Sequence, residues 1–335
     1  MSSHPAVNRQ IVLRLRPDGL PTPQNFELVD GPVPQVRDGQ VLLQHRYLGL
    51  APAARLRMGE ADSYAKPLAL GEVIYGQAVG TVIQSLHPDF QPGDTAVSIR
   101  GGWQEYSVGS GPGLNKVNVS IAPPTVWLGA LGTSGMTAYV GLLDLGRPKV
   151  GETVVVSAAG GAVGSAVGQI ARLHGCRVVG IAGGAAKCEF AVSVMQFDAC
   201  VDYRAPDFAQ RLAQACPAGI DICFENVGGA SRDAAWSLLN PRARIVVCGL
   251  ISEYNGVPQP GPGWFDVLTK RLSLRGFIMS DHLDRRADFE RDMGAWYGQG
   301  MVRVREDVRH GLEQTPAAFI DMLQGRNLGK TIVQL

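Results

Sequence analysis

The segment from Thr153 to Leu173 restricts the fold of this chain more than any other part of the sequence. A run of β-branched residues, Val154-Val155-Val156, leads into three small residues, Ala159, Gly161 and Gly164, after which the apolar spacing becomes helical. A tight turn between a buried strand and a helix packed against it needs small residues at such positions. The segment therefore predicts a strand, a sharp turn and a helix.

Strands and helices continue to alternate after this unit. The pattern predicts strands over residues 152–159, 177–182, 199–202, 220–225, 244–249 and 272–277. It predicts helices over residues 126–143, 162–174, 186–195, 208–216 and 281–300. Such alternation is typical of an α/β fold with a doubly wound parallel sheet.

The first 125 residues have a different pattern. Short apolar runs are separated by turn-forming clusters such as Gln91-Pro92-Gly93-Asp94. This pattern predicts a small β barrel or sandwich, and a final strand is predicted over residues 330–335. The length of 335 residues allows two domains of ordinary size.

Composition narrows the range of partners. A formal net charge of +1 gives no electrostatic reason to expect nucleic acid or an anionic membrane surface. The N-terminus has no apolar leader pattern, and the glycines between Thr153 and Leu173 favour a buried strand and helix over a membrane span. The six cysteines form no CxxC pair, which predicts free buried thiols and a cytoplasmic location.

The small-residue turn favours a dinucleotide site in a Rossmann-type domain. Backbone N–H groups of Gly161, Ala162, Val163 and Gly164 at the start of the helix are expected to face a pyrophosphate. A glycine-rich turn that serves packing alone is the alternative. The strand before it, the helix after it and the second strand in phase favour the dinucleotide.

The choice of dinucleotide depends on the end of the second strand. NAD sites usually have an acid there, whereas this chain has Ala182-Gly183-Gly184-Ala185-Ala186-Lys187. The missing acid leaves room for a 2′-phosphate, which Lys187 would neutralise and Tyr203-Arg204 could also reach. A solvated lysine in the first helical turn is the alternative. The pattern favours NADPH.

No metal site is expected. The first 125 residues contain no cysteine, their histidines (His4, His45, His87) are scattered, and Glu72 has no histidine beside it. Without a metal, a substrate oxygen needs a hydrogen-bond donor, for which Tyr254 and Tyr64 are the candidates. A packing role is the alternative for either tyrosine.

Several segments in one order make the sequence resemble a known family. They are Asn8-Arg9-Gln10, Gly102–Tyr106, Gly135–Tyr139, Ala158–Gly164, Glu225–Gly229, Cys248–Asn255 and Asn327–Val333. The chain resembles the zinc-independent medium-chain dehydrogenases/reductases. Within them it is most similar to the leukotriene B4 dehydrogenase/prostaglandin reductase and alkenal double-bond reductase family, in the bacterial curcumin reductase-like branch.

The resemblance implies a GroES-like β-rich barrel domain over residues 1–125, rejoined by residues 300–335. It also implies a Rossmann NADP-binding domain over residues 126–299, and a homodimer. The implied cofactor contacts are Met136, Thr137, Gly161, Ala162, Val163, Gly164, Gly184, Lys187, Tyr203, Asn226, Cys248, Gly249, Leu250, Ile251, Ser252, Tyr254, Phe277, Ile278, Met279 and Asn327. Tyr254 and Tyr64 are the implied catalytic or substrate-contacting tyrosines.

Two departures from the family pattern stand out. Relatives have Asp-Pro-Tyr-Met-Arg where this chain has Ala51-Pro52-Ala53-Ala54-Arg55, so a tyrosine of the substrate cleft is replaced by Ala53. The loss of that ring predicts a wider cleft. Gln196 stands where relatives usually have a helix-ending glycine, which predicts a different helix end.

The predicted function is reduction of the carbon–carbon double bond of α,β-unsaturated ketones and aldehydes by NADPH, with hydride passing to the β-carbon. Two alternatives remain open. An NADPH:quinone oxidoreductase shares the fold and cofactor, and a catalytically silent NADPH-binding protein would bind the cofactor without turnover.

Overall fold

A computed structural model of the protein describes residues 7–60, 63–256 and 260–335. The chain divides into two compact units, Met1–Gly129 with Glu306–Leu335, and Ala130–Arg305. The two boundaries between the units fall a few residues after the predicted domain boundaries at positions 125 and 299. The first boundary is later because the 3-10 helix Pro124–Leu128 packs against strands of the first unit's sheet and buries Val126 and Leu128 there.

Fifteen strands run through the described residues. They are β1 (Asn8–Leu13), β2 (Phe26–Gly31), β3 (Val41–Gly49), β4 (Gln77–Ser85), β5 (Thr95–Ser98), β6 (Tyr106–Gly109), β7 (Leu114–Lys116), β8 (Thr153–Ser157), β9 (Arg177–Ala182), β10 (Ala199–Asp202), β11 (Ile220–Glu225), β12 (Leu239–Val247), β13 (Ser273–Gly276), β14 (Glu306–His310) and β15 (Lys330–Gln334).

Nine α-helices and one π-helix accompany these strands in the same residues. The α-helices are α1 (Ala53–Arg57), α2 (Thr133–Tyr139), α3 (Ala162–Leu173), α4 (Ala185–Ser193), α5 (Phe208–Ala215), α6 (Gly229–Ser237), α7 (Trp264–Lys270), α8 (Arg286–Gly298) and α9 (Thr315–Leu323). The π-helix spans Val140–Gly146, and 3-10 turns include Ile251–Glu253, Met279–Arg285 and Leu312–Gln314.

The second unit contains the predicted parallel sheet. Its six strands are ordered β10-β9-β8-β11-β12-β13, and every neighbouring pair is parallel. The order reverses between β8 and β11, which is where sheets of this kind bind ligands at their carboxyl ends. Val154, Val155 and Val156 of β8 are completely buried because both faces of the sheet are covered.

The first unit is β-rich, as predicted. A seven-stranded sheet runs in the order β14-β15-β3-β4-β5-β7, with β6 paired to β3, and β1 and β2 form a separate antiparallel pair. All of its pairs are antiparallel except β14 with β15. Trp103 lies at the centre of its core, stacked on Phe26 and edge-on to Phe319.

Three local predictions are corrected. Residues 126–143 do not form one helix, because Gly129 and Gly132 have extended or irregular backbone between the 3-10 helix and α2. Gln196 has a φ of 61°, the left-handed conformation that glycine favours. The backbone after α4 therefore has the conformation that a helix-ending glycine would give, and the predicted difference is not found. The six unpaired cysteines are not all buried, since Cys188, Cys200 and Cys248 are partly exposed.

No helix within the described residues is long and apolar enough to cross a membrane. His4, one of the scattered histidines above, lies outside those residues.

Candidate cofactor-binding and active site

The turn after β8 has the close packing that a dinucleotide site needs. A Cβ added at Gly164 would lie 2.3 Å from the carbonyl oxygen of Ala158, so only glycine allows α3 to start this near the strand. Ala158 has a φ of 53°, which marks the sharpness of the turn. Gly164 therefore serves the packing expected of the last small position of the motif.

The N-terminus of α3 is available to an anion. Gly161 is the N-cap residue, and no described side chain caps the helix there. The first main-chain bond of the helix joins Ser165 N–H to Gly161 O, so the N–H groups of Ala162, Val163 and Gly164 precede the helical ladder. Together with the helix dipole they favour a bound pyrophosphate.

Gly184, Lys187 and Tyr203 lie together at the ends of β9 and β10. The ring of Tyr203 packs on Gly183, where an added Cβ would come within 2.8 Å of the ring edge. Gly184 is the N-cap of α4, with a φ of 96°, and Lys187 is in the first turn of that helix. The structure therefore brings the residues predicted for a 2′-phosphate to neighbouring strand and helix ends.

Asp202 joins the backbone after β9 to the backbone after β10, although the sequence did not indicate it. Its Oδ1 accepts the N–H groups of Gly184, at 2.9 Å, and Arg204, at 3.0 Å. These two donors hold the pKa of Asp202 below its usual value. The Arg204 guanidinium lies over the Tyr203 ring, 5.6 Å from its centre, and adds a positive charge near Gly184.

A buried carboxylate organises the loop after β11. Oε1 of Glu225 accepts the N–H groups of Val227 (2.6 Å) and Gly228 (2.9 Å). The amide side chain of Asn226 donates a 2.8 Å hydrogen bond to the carbonyl oxygen of Ser157, at the end of β8. Asn226 is thereby fixed at the point where the strand order reverses.

The loop after β12 is tied to the loop after β11. Cys248 and Gly249 both donate their N–H groups to the carbonyl oxygen of Glu225, at 2.9 and 3.2 Å. Ser252 donates its N–H and its hydroxyl to the carbonyl oxygen of Val227. Leu250 and Ile251 lie between these attachments and are partly buried.

Tyr254 follows directly, at the end of the 3-10 turn Ile251–Glu253. The tyrosine is partly buried, and its hydroxyl oxygen lies 3.1 Å from the position that a Cβ would take at Gly249. Any larger residue at 249 would therefore displace this hydroxyl. The predicted donor is thus placed against the backbone at the carboxyl end of β12.

The remaining predicted residues of the second unit pack against neighbouring side chains or bond within their own helix. Phe277 packs edge-on to Phe224, with ring centres 6.5 Å apart, and is followed by the partly buried Ile278 and Met279. Met136 is buried in α2. The Thr137 hydroxyl donates to the carbonyl oxygen of Thr133 inside the same helix.

Three predicted positions belong to the first unit. Tyr64 is 57% exposed, in the loop after α1, and Ala53 is the first residue of α1. The Asn327 amide donates to the carbonyl oxygen of Gly329, two residues later. Within this unit the structure also contains a buried lysine, Lys330, whose Nζ donates to the carbonyl oxygen of Leu50 at 2.8 Å.

Across residues 7–60, 63–256 and 260–335, no three His, Cys, Asp or Glu side chains come together in a group that could hold a metal ion.

Comparison with known proteins places this site in a family. A family model described as "N-terminal domain of oxidoreductase" matches residues 9–117, and one described as "Zinc-binding dehydrogenase" matches residues 162–296. The chain is 48% identical to the NADPH-dependent curcumin reductase of Escherichia coli (strain K12), over 98% of this chain and 97% of that protein. The chain belongs to the curcumin reductase-like branch of the medium-chain dehydrogenases/reductases.

Two further members of the medium-chain reductases are similar over their whole length. One is the 2-alkenal reductase (NADP(+)-dependent) of Nicotiana tabacum, at 37% identity over 98% of this chain and 97% of that protein. The other is a solved structure, CurA in complex with NADPH from Vibrio vulnificus. It has a TM-score of 0.92 and 47% identity over 97% of this chain and 98% of that one.

Proposed function

We propose that this protein is an NADPH-dependent reductase of the carbon–carbon double bond of α,β-unsaturated ketones and aldehydes. Its whole-length similarity to a curcumin reductase and a 2-alkenal reductase supports the substrate class. The structural observation that carries the proposal is the joined pair of loops after β11 and β12. These loops hold Asn226 at the reversal of strand order between β8 and β11, the usual ligand position in such sheets, and Tyr254 in the loop after the neighbouring strand β12.

The residues present fit NADPH. The close approach of Gly164 to the Ala158 carbonyl leaves a narrow cradle of main-chain N–H groups, which suits a pyrophosphate. Lys187, with Tyr203 and Gly184 beside it, would hold the 2′-phosphate, where a lysine acts as a compact positive charge. Asn226 and the 248–252 loop would contact the ribose and nicotinamide.

When bound, NADPH supplies the hydride that is delivered to the β-carbon of the substrate. Negative charge then develops on the substrate carbonyl oxygen, and Tyr254 is proposed to donate a hydrogen bond to it. A donor held in place before the reaction stabilises such charge without reorganisation. The Tyr254 hydroxyl lies close to Gly249, at the carboxyl end of β12, where it is proposed to be positioned before substrate binds.

Tyr64, Asn327 and Ala53 are proposed to take part from the first unit, in line with the family pattern. Tyr64 would contact substrate, and Asn327 the nicotinamide end of the cofactor. Ala53 replaces an aromatic ring of relatives, so the substrate range is expected to extend to bulkier enones. An Ala53→Tyr variant is expected to lose turnover of bulky enones before small ones.

We also propose that the protein is a cytoplasmic homodimer. Unpaired cysteines fit a reducing compartment. Strand β13 lies at an edge of the six-stranded sheet with all four residues exposed, and α7 exposes Trp264 (81%), Phe265 (75%) and Leu268 (72%). Open strand edges and large apolar patches are usual places for association with a second copy.

The dimer is tested by mass in solution. The unaltered protein is expected at twice the 35.7 kDa chain mass, and Leu268→Glu near the chain mass. A single-chain mass for the unaltered protein would contradict the dimer.

The activity is tested by NADPH oxidation over a panel of enals, enones and quinones, with NADH as the control cofactor. Enones and enals are expected to be turned over faster than quinones. Tyr254→Phe is expected to lower kcat by about 100- to 1,000-fold, the usual loss of one such donor. Tyr297→Phe, on α8 of the same unit, is the matched control and should leave kcat unchanged. Turnover of quinones alone, or tight NADPH binding without turnover, would contradict the proposal.

A further inference from the structure

Arg232, near the start of α6, connects that helix to the turn that precedes Tyr254. Its Nη1 donates to Oε1 of Glu253, the last residue of the 3-10 turn, at 3.4 Å. Its Nη2 donates to the carbonyl oxygen of Pro260 at 2.8 Å. One guanidinium therefore holds the chain both before and after Tyr254.

The contact between Arg232 and Glu253 is shielded from water. Only 13% of the Arg232 side chain and 14% of the Glu253 side chain are exposed. Ion pairs between exposed side chains contribute little because solvent and salt screen them, whereas a shielded charge-assisted hydrogen bond is stronger. Nε of Arg232 also donates to Oδ1 of the neighbouring Asp233, at 2.8 Å, and this bond orients the guanidinium.

The turn packs closely on the start of α6. A Cβ added at Gly228, the N-cap residue of α6, would lie 3.1 Å from Oε1 of Glu253 and 3.1 Å from Oγ of Ser252. The absent side chain at Gly228 therefore allows the turn to approach the helix. A carboxylate beside the N-terminal end of a helix is also favoured by the helix dipole. Glu253 is thus brought within reach of Arg232.

We propose that Arg232 is a positioning residue for the reduction, which holds the turn through Glu253 and so sets the place of the Tyr254 hydroxyl. This inference rests on the proposed role of Tyr254 as the hydrogen-bond donor to the substrate oxygen. Ser252 attaches the turn to the carbonyl oxygen of Val227, and Arg232 attaches it through the residue directly before Tyr254. Loss of Arg232 removes the attachment at Glu253.

A positioning role predicts a specific kinetic effect. A donor that is displaced from the developing charge stabilises it less, and small misplacements slow the chemical step by up to about 100-fold. Arg232→Gln is therefore expected to lower kcat for enone reduction by about 10- to 100-fold. The KM for NADPH should stay unchanged, because the side-chain contacts of Arg232 are with Asp233, Glu253 and Pro260 and not with the residues predicted to bind the phosphates.

Two further variants provide the comparison within the ion pair. Glu253→Gln removes the other charge of the pair and should lower kcat to a similar extent. It also decides the question if Arg232→Gln fails to fold. Arg211→Gln is the matched control, because it breaks an exposed ion pair with Asp207 at the start of α5 and should leave kcat unchanged.

The Tyr254→Phe background separates positioning from a general loss of structure. This variant lacks the hydroxyl that Arg232 is proposed to position, so Arg232→Gln should cause no further fall in kcat there. An equal fall in kcat with and without the hydroxyl would overturn the proposal. So would an unchanged kcat in both Arg232→Gln and Glu253→Gln.

Amide hydrogen exchange measures the turn itself and needs no substrate. Peptides that cover residues 250–256 should exchange faster in Arg232→Gln than in the unaltered protein, whereas peptides of α3 should exchange at the same rate. Unchanged exchange at residues 250–256 in both variants would overturn the positioning role, even where enone turnover is intact. Absence of enone turnover in the unaltered protein would instead contradict the proposed function, so the two failures are distinguishable.

Discussion

The hydroxyl of Ser157 donates a 2.6 Å hydrogen bond to Oε1 of Glu225, and both side chains are buried. The same hydroxyl oxygen accepts the N–H group of Asn226 at 2.7 Å. One serine at the end of β8 and one glutamate at the end of β11 thus position the loop at the reversal of strand order. Neither side chain needs to touch the cofactor to affect its binding.

Glu225→Gln is expected to weaken this loop. A neutral amide oxygen accepts the three donors less strongly than a carboxylate does, and loss of charge-assisted bonds of this kind costs about 1–3 kcal/mol. We expect the free energy of unfolding in urea to fall by that amount and the KM for NADPH to rise. Glu189→Gln, at an exposed position on α4, is the matched control. Unchanged values for both quantities in Glu225→Gln would rule out the positioning role.

Lys187→Ala is expected to affect NADPH and not NADH. Loss of a positive charge from the 2′-phosphate should raise the KM for NADPH by about 10- to 100-fold, from the usual strength of hydrogen bonds to charged groups. The kcat should change little because the lysine is remote from the reacting atoms. Lys149→Ala, an exposed lysine of the same unit, is the control. An equal rise in KM for NADPH and for NADH would show that Lys187 does not bind the 2′-phosphate.

His45 is expected to make the protein sensitive to acid. Its ring is buried, with Nδ1 donating to the Gln104 carbonyl oxygen and Nε2 accepting the Ser107 hydroxyl, both at 2.7 Å. Burial lowers the pKa of His45 to about 4, against about 6.5 in an unfolded chain. Between these values the unfolded chain binds more protons, so stability falls as pH decreases from 6.5 to 4, by about 3 kcal/mol in total.

Urea unfolding at pH 7, 5.5 and 4.5 measures this dependence. His45→Gln should be less stable at pH 7 and should lose less stability over the interval than the unaltered protein. His310→Gln, at an exposed position of β14, should retain the full dependence. If the free energy of unfolding of His45→Gln falls with decreasing pH as steeply as that of the unaltered protein, other groups cause the acid sensitivity.

Gln196→Gly is expected to stabilise the protein. A left-handed φ of 61° costs a residue with a Cβ about 1–2 kcal/mol, and glycine avoids that cost while adding some freedom to the unfolded chain. The Gln196 carbonyl oxygen, which accepts from Arg172, is retained. We expect a gain of about 1 kcal/mol in the free energy of unfolding. Gln196→Ala keeps the strain and should show no such gain.

The local apolar pattern of the sequence was enough to predict most strands and helices of the second unit. The predicted strands 177–182, 199–202 and 220–225 have the same bounds in the structure, because each is a β-branched or apolar run between turn residues. Helices α6 and α7 were not predicted. Gly229 opens α6, and α7 exposes Trp264, Phe265 and Leu268, so neither shows the usual pattern of one buried apolar face.

The residues that shape the site were harder to find from the sequence. Ser157 and Glu225 are 68 positions apart, and their contact exists only because β8 and β11 are neighbours in the sheet. Asp202 is the last residue of the third strand of this sheet, β10, whereas the acid of NAD sites lies at the end of the second strand. Its hydrogen bond to the Gly184 N–H could therefore not be inferred from spacing. Residues that touch a ligand follow local motifs, and the residues that hold them depend on the strand order.

The most direct test of the proposed reductase follows one hydrogen atom. An enone is reduced with NADPH that carries deuterium at the transferred position of C4, and the product is analysed by NMR. The saturated ketone is expected, with deuterium on its β-carbon and an α-hydrogen derived from solvent. An allylic alcohol with deuterium on the former carbonyl carbon would contradict the account, because hydride would then have gone to the carbon–oxygen bond.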